Sequence, residues 1–448
     1  LGVGMAVDSN IITFERIKDS MYAGRSLKTA FYEGSSKSFT TILDSQLTTF
    51  ISAIILYLLG TGSVKGFATM LIVSTVATLL LIVFVARFLL KMIVDSGIAD
   101  DRRSWFGVSD RLVPNVAKGE EQFYFGHFHN FDFIAKAKYF IFASLSVLVI
   151  AVLCMGFHGF KGDGIMNFGI DFTSGTKITI QSDTAIDSAT LNKQLSDLGI
   201  EASAIKINGE GNTNAQVFVK HAIEQETMNQ VKTSLQQTYG HEINENTVTP
   251  VIGKELVRNA VIISLLAWIG IMVYVSIRFK WDYAVSGIAA LVHDVVIILA
   301  FCAIFRLEIN TEIIAVMLAI IGYSINNSIV VFDRIRESVK AHSHSRITKG
   351  QYKKIVNEAL QKTMIRSVLS TFTTIIPVVC LMLMGSEGIF TFNLTLFIGL
   401  AAGAGSSLFI AAQLWYYIRT HLHIKPKQKK TRKKEELEEM IVPGMNDY

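Results

Sequence analysis

Eight stretches of this chain are apolar for long enough to cross a lipid bilayer: 44–60, 67–92, 137–157, 258–277, 283–304, 311–332, 366–385 and 389–417. A hydrocarbon core about 30 Å thick is crossed by roughly 20 helical residues. Within it every backbone polar group must be paired inside its own segment, which makes runs of this length α-helices. Charged residues are only 18% of the chain, where a soluble protein carries about 25%. The expected fold is an all-α polytopic membrane protein.

Part of this pattern occurs twice. Residues 4–20, GMAVDSNIITFERIKDS, align with 322–338, GYSINNSIVVFDRIRES, pairing Gly4 with Gly322, Phe14 with Phe332 and Arg16 with Arg334. Residues 41–60, TILDSQLTTFISAIILYLLG, align with 366–385, RSVLSTFTTIIPVVCLMLMG, which pairs Thr48 and Thr49 with Thr373 and Thr374. The halves read as parallel repeats entering the membrane in the same sense, a construction common in transporters. Residues 1–15 read as the tail of a spanning helix. With no initiating Met and no signal-peptide pattern before it, the chain is expected to lack its natural beginning.

These runs divide the chain into a membrane part over 1–92, a polar linker over 93–136, a span at 137–157, an insert over 158–255, five spans within 256–418, and a tail over 419–448. The linker holds an aromatic group, FYFGHFHNFDF, of the kind that favours membrane interfaces. In the insert, KITIQ (177–181) alternates as a strand. Asp187 and Ser188 can cap a helix carrying Leu191, Leu195 and Leu198, stopped by Gly199. AIKIN (204–208) and AQVFVK (215–220) flank a turn as a hairpin. Met228, Val231 and Leu235 mark a second helix, and HEINENTVTP supplies a last strand. The order β-α-β-β-α-β predicts a small ferredoxin-like α+β domain. Lys and Arg crowd the segments 16–43, 93–136, 278–282, 333–365 and the tail, so these are expected in the cytoplasm and the insert outside.

Polar groups inside the apolar runs are the candidate site, because a charge in lipid is costly unless paired, hydrated or neutralised. Asp8 lies about 12 Å along a helix from Arg16, and reads as a protonatable or cation-binding group or as a hydrogen bond between helices. The second repeat offers Asn326 and Asn327 there, which cannot titrate and read equally as polar glue. Arg366 begins a span, as a counter-ion for the carboxylate or as an interfacial anchor. Asp44 reads as a buried carboxylate or a residue favoured by a helix start. His293 and Asp294 lie within one span; adjacent helical residues point to different faces, so no ready-made dyad is expected of them. Cys154, Cys302 and Cys380 all fall in apolar runs as small core residues. The pairs His127/His129, His342/His344 and His421/His423 have no neighbouring ligands at zinc spacing, so no metal is expected. No phosphate-binding loop is present, which leaves ATP out as direct fuel, and no cofactor is expected. The basic tail, KPKQKKTRKK, reads as a positive-inside flank in preference to a site for anionic lipid or ribosomal RNA.

These residues carry a resemblance. GMAVDSNIITFERIKDS resembles the carboxylate motif of SecD, and GIDFTSGT (169–176), ALVHDVVI (290–297) and AIIGYSINNSIVVFDRIRES (319–338) resemble the run of motifs in SecF. An end of SecD followed by all of SecF is similar to the fused form of this bacterial family, which lies in the wider RND superfamily. The resemblance implies twelve spans, of which this chain keeps the last eight and part of the fourth. It implies an accessory of protein export across the bacterial cytoplasmic membrane, driven by a proton or sodium gradient. Implied partners are the Sec channel and motor, a membrane insertase with a small accessory subunit, and unfolded precursor proteins. The implied ion pathway passes Asp8 and Arg366. Two positions depart from the family: Asn327 stands where GYSIND has a carboxylate, and Ser174 where GIDFTGGT has glycine. The readings left open are a gradient-driven export accessory, an RND-type exporter of small molecules or lipids, and a scaffold holding the Sec channel and insertase together. The small size of the insert argues against the exporter, and Asn327 favours the scaffold.

Overall fold

The computed structural model describes residues 2–422 except 61, 116–117, 119, 121, 123, 125–127, 163, 174, 209–210, 222, 249, 343–346 and 386. Ser174, His127, His344, His423 and the basic tail therefore lie outside the described residues.

The first repeat opens with α1 (Gly2–Tyr22) and α2 (Leu27–Leu59). Its third span is α3 (Gly62–Leu80), a π-helical segment Leu81–Ala86, and α4 (Arg87–Asp95). The second membrane half begins with α5 (Phe133–Lys161). After the small domain come α9 (Pro250–Arg278), α10 (Trp281–Ile304), α11 (Thr311–Ala341) and α12 (Lys349–Met384). The last span is α13 (Glu387–Ser406), a π-helical segment Ser407–Ala411, and α14 (Ala412–His421). Among the described residues, 8 helices are long and apolar enough to cross a membrane. Large apolar side chains such as Phe142, Leu153 and Phe157 stand exposed along α5, the surface a lipid-facing helix presents.

Several helices are longer than their apolar runs, at the start for α2 and α12 and at the end for α1 and α11. Segments 16–43 and 333–365 are mostly helix, not loop: α2 has 33 residues and α12 has 36. At 1.5 Å per residue α2 is about 50 Å long, far more than the hydrocarbon needs. The polar extensions stay helical because they pair with one another. Arg16 pairs with Glu337 (2.7 Å) and Asp333 (3.0 Å), and Arg334 with Asp19. By the repeat alignment Arg16 matches Arg334 and Asp19 matches Glu337, so the contacts are reciprocal. A second reciprocal pair lies deeper. Thr49 donates to the Gly322 carbonyl at 3.1 Å, and Thr374 crowds Gly4, where a Cβ would come within 2.4 Å of its hydroxyl. The two repeats thus meet through α1, α2, α11 and α12. Both third spans carry a π-helical segment at the matching place, which the hydropathy pattern had not signalled.

The small domain comprises the short α6 (Ile170–Thr173), β1 (Gly175–Gln181), α7 (Ser188–Asp197), β2 (Ala204–Asn208), β3 (Asn214–Val219), α8 (Gln225–Tyr239) and β4 (Asn244–Val248). Its antiparallel sheet has the order β2-β3-β1-β4, the ferredoxin-like arrangement. Register Ile178↔Val217 and Ile180↔Ala215 puts these side chains on the core face with Leu191, Leu195, Met228, Val231 and Leu235. Asp187 caps α7 by accepting from the Thr190 amide at 2.9 Å. At the other end of the chain's membrane part, Asp132 caps α5. Partial burial raises its pKa, but hydrogen bonds from Lys353, the Ala135 amide and Asn357 outweigh this and hold it down to about 2.

Candidate functional site

Three helices converge on Asp8. It lies on α1, with its side chain 0% exposed, and Arg366 of α12 is 2% exposed. Arg366 Nη2 donates to Asp8 Oδ1 at 2.8 Å and to Oδ2 at 3.1 Å. From α11, Asn326 Nδ2 donates to Oδ2 at 3.2 Å. A carboxylate of the first half is therefore held by two side chains of the second. A fully desolvated ion pair contributes little net stability, so folding alone gives little reason for it. The pair's surroundings are polar. Ser9 Oγ accepts from Gln46 Nε2 at 3.2 Å, and Tyr323 shares a hydrogen bond with Thr374 at 3.1 Å. The Gln46 Oε1 and Asn326 Oδ1 atoms are buried with no partner among the described residues.

The other sequence candidates separate. Asn327 is buried one residue further along α11 and makes no hydrogen bond to Asp8; its amide nitrogen has no partner among the described residues. Asp44, on α2, is a member of a different cluster. Arg278 Nε donates to its two oxygens at 2.8 and 2.7 Å, and Tyr274 Oη donates at 3.0 Å. That clamp ties α2 to α9 across the repeat boundary. It leaves Asp44 neither exposed at a helix start nor free to bind. His293 and Asp294 correct the expectation that adjacency forbids a dyad: His293 Nδ1 lies 3.1 Å from Asp294 Oδ1. The hydrogen bond forms because the imidazole is pinned at its other nitrogen by Ser144 of α5 (3.0 Å). Ser324 and Ser406 donate to Asp294 Oδ2 at 2.5 and 2.9 Å.

Sequence reasoning missed Tyr274, Arg278, Gln46, Ser324 and Ser406. Each is a polar residue at or inside an apolar run, and that placement was the available signal. The described residues contain no cluster of three or more His, Cys, Asp or Glu side chains able to hold a metal.

The GIDFTSGT stretch has a structural role at the base of the small domain. Asp171 Oδ2 accepts from the Thr311 amide at 3.0 Å and from its hydroxyl at 2.9 Å. The Gly169 amide donates to the Ile309 carbonyl at 2.8 Å. The small domain is thereby attached to the start of α11, the helix that carries Asn326 at its middle.

The sequence matches the family described as protein export membrane protein SecD/SecF, C-terminal, over residues 2–96 and 228–421. It matches the SecD/SecF GG motif over residues 166–186. It is 41% identical over 416 residues to protein translocase subunit SecDF of Bacillus subtilis, covering 93% of this chain and 55% of that one. It is 33% identical over 313 residues to protein translocase subunit SecF of Sebaldella termitidis, covering 68% of this chain and 96% of that one. The crystal structure of a translocon-associated SecDF from a Thermus species is similar with a TM-score of 0.75 at 31% identity, over 92% of this chain and 53% of that one. The chain spans about half the length of the SecDF proteins it matches. On these similarities, the chain belongs to the SecD/SecF family of protein export membrane proteins.

Proposed function

We propose that this chain is part of an accessory of the Sec protein translocase that uses a transmembrane ion gradient, not ATP, to promote export of precursor proteins. It would sit in the bacterial cytoplasmic membrane with the small domain outside and the tail in the cytoplasm. Its partners would be the Sec channel and motor, a membrane insertase with its small accessory subunit, and an unfolded precursor. The observation that carries the proposal is the Asp8–Arg366 pair, buried and shared between the repeats. An arriving proton or sodium ion neutralises the carboxylate and weakens its hold on Arg366. The positions of α1, α11 and α12 that were favoured by the pair then lose that preference, and the repeats can rock. Because Asp171 binds Thr311, movement of α11 passes to the small domain.

The test is precursor secretion in cells carrying the full-length parent with Asp8→Asn, at matched membrane level. Asn keeps the shape of the side chain but not its charge. Secretion should fall to the level of cells lacking the protein and should stop responding to collapse of the gradient. Wild-type secretion from the variant would defeat the gradient-driven reading and leave the scaffold.

A further inference from the structure

The membrane part holds a second fully enclosed carboxylate that the coupling scheme does not use. Asp294 is 1% exposed and His293 is 14% exposed. The cluster draws on four elements: Ser144 of α5, His293 and Asp294 of α10, Ser324 of α11 and Ser406 of α13. It differs from the Asp8 site in one chemical respect. Asp8 faces an arginine, which does not give up its proton. Asp294 faces a histidine, whose ordinary range lies near neutral pH. Among the described residues no other titratable side chain is hydrogen-bonded to it. What α5, α11 and α13 present to it are serine hydroxyls, while Arg419 of α14 is paired with Asp282 at 2.6 Å and Arg278 of α9 with Asp44.

We infer that Asp294 and His293 form a second proton-carrying site, with the proton passing between carboxylate and imidazole along the Ser144–His293–Asp294 line. Either arrangement, aspartate with imidazolium or aspartic acid with neutral imidazole, keeps the site uncharged overall, so a proton moves between the two without the desolvation cost of an isolated ion. Three hydrogen-bonded neighbours hold the groups in place for it. The transfer is balanced: the O–H bond on Asp294 breaks as the N–H bond on His293 Nδ1 forms, and Nε2–H is oriented by Ser144. A proton suits this site better than a metal cation because a basic nitrogen already occupies one of the carboxylate oxygens. The site's position gives it a use under the proposed function, on which that use rests. Ser324 and Asn326 are two residues apart on α11, about 200° around the helix, so one helix separates Asp294 from Asp8 and touches both. The second repeat, which has Asn326 opposite Asp8, carries its titratable group on the far side of the same helix.

Infrared titration of the purified chain in lipid nanodiscs tests this without any export assay. A protonated-carboxyl C=O band that titrates with pH is expected. It should persist in Asp8→Asn, vanish in Asp294→Asn, and move its midpoint by about one pH unit or more in His293→Gln. Should Asp294→Asn fold poorly, the His293→Gln shift still decides. A band unaltered in both Asp294→Asn and His293→Gln would overturn the assignment. So would a band that responds to sodium at fixed pH, which would make the site a sodium site. A persisting Asp294 band together with normal export by Asp8→Asn would sink the proposed function and leave this site standing.

Discussion

Replacing Arg366 with leucine should destabilise the chain by about 3–5 kcal/mol, the usual cost of leaving a buried charge without its partner. Among the described residues Asp8 has no other cation within hydrogen-bonding distance, and the one remaining donor there, the Asn326 amide at 3.2 Å, is neutral. Removing the carboxylate as well should recover most of the loss, because a buried ion pair exchanged for apolar groups of similar volume is often neutral or better. The double variant Asp8→Leu with Arg366→Leu is therefore expected to be more stable than Arg366→Leu alone. Thermal unfolding of the four proteins in one detergent closes the cycle. Additive effects, within about 0.5 kcal/mol, would show that the two side chains do not interact and that the site has been misassigned. Stability and export should diverge here. The double variant would be well folded and inert, which is the signature of a pair kept for use and not for folding.

The second large effect is expected in the small domain. Gly175 begins β1 with φ +131°, and a Cβ there would lie 2.2 Å from the Val219 carbonyl oxygen of β3. Alanine would meet backbone, not the tip of a side chain, and would also be held in a conformation that L residues rarely adopt. The neighbouring pairs Thr176↔Val219 and Gly175↔Val248 would have to open. A loss on the order of 3 kcal/mol is expected, confined to the sheet. Hydrogen exchange on the intact chain should show β1, β3 and β4 deprotected while α10 and α11 stay protected. Gly199→Ala is the matched control: its φ is +76° but nothing lies within 4 Å, so only the backbone term of about 1 kcal/mol applies. Equal protection in the two variants would refute the steric account.

Much of this molecule was readable from its residues. Length and hydrophobicity set the eight spans, since lipid leaves a long apolar run no other form. The Leu191 and Leu195 spacing and the Asp187 cap gave α7 within a residue or two, because capping and amphipathic period are local properties. The matched stretches at 4–20 and 322–338 announced the repeat and, through the cost of a charge in lipid, marked Asp8 as a candidate. What the sequence misplaced was the end of each long helix. Arg16, Asp19, Arg334 and Glu337 look like loop residues one at a time, and only as reciprocal partners do they keep α1 and α11 helical past the apolar layer. Arg366 was a candidate counter-ion for Asp8, but it lies 358 residues away along the chain, and its position alone suited an interfacial anchor somewhat better. The same holds for Asp44, captured by Tyr274 and Arg278, and for Asp294, whose bond to His293 depends on Ser144, Ser324 and Ser406. The sequence by itself determined which groups are too polar for their surroundings. The tertiary structure decided which of them meet, because a buried polar group is satisfied by whatever the packing of helices brings within 3 Å, and that packing is a property of the whole bundle.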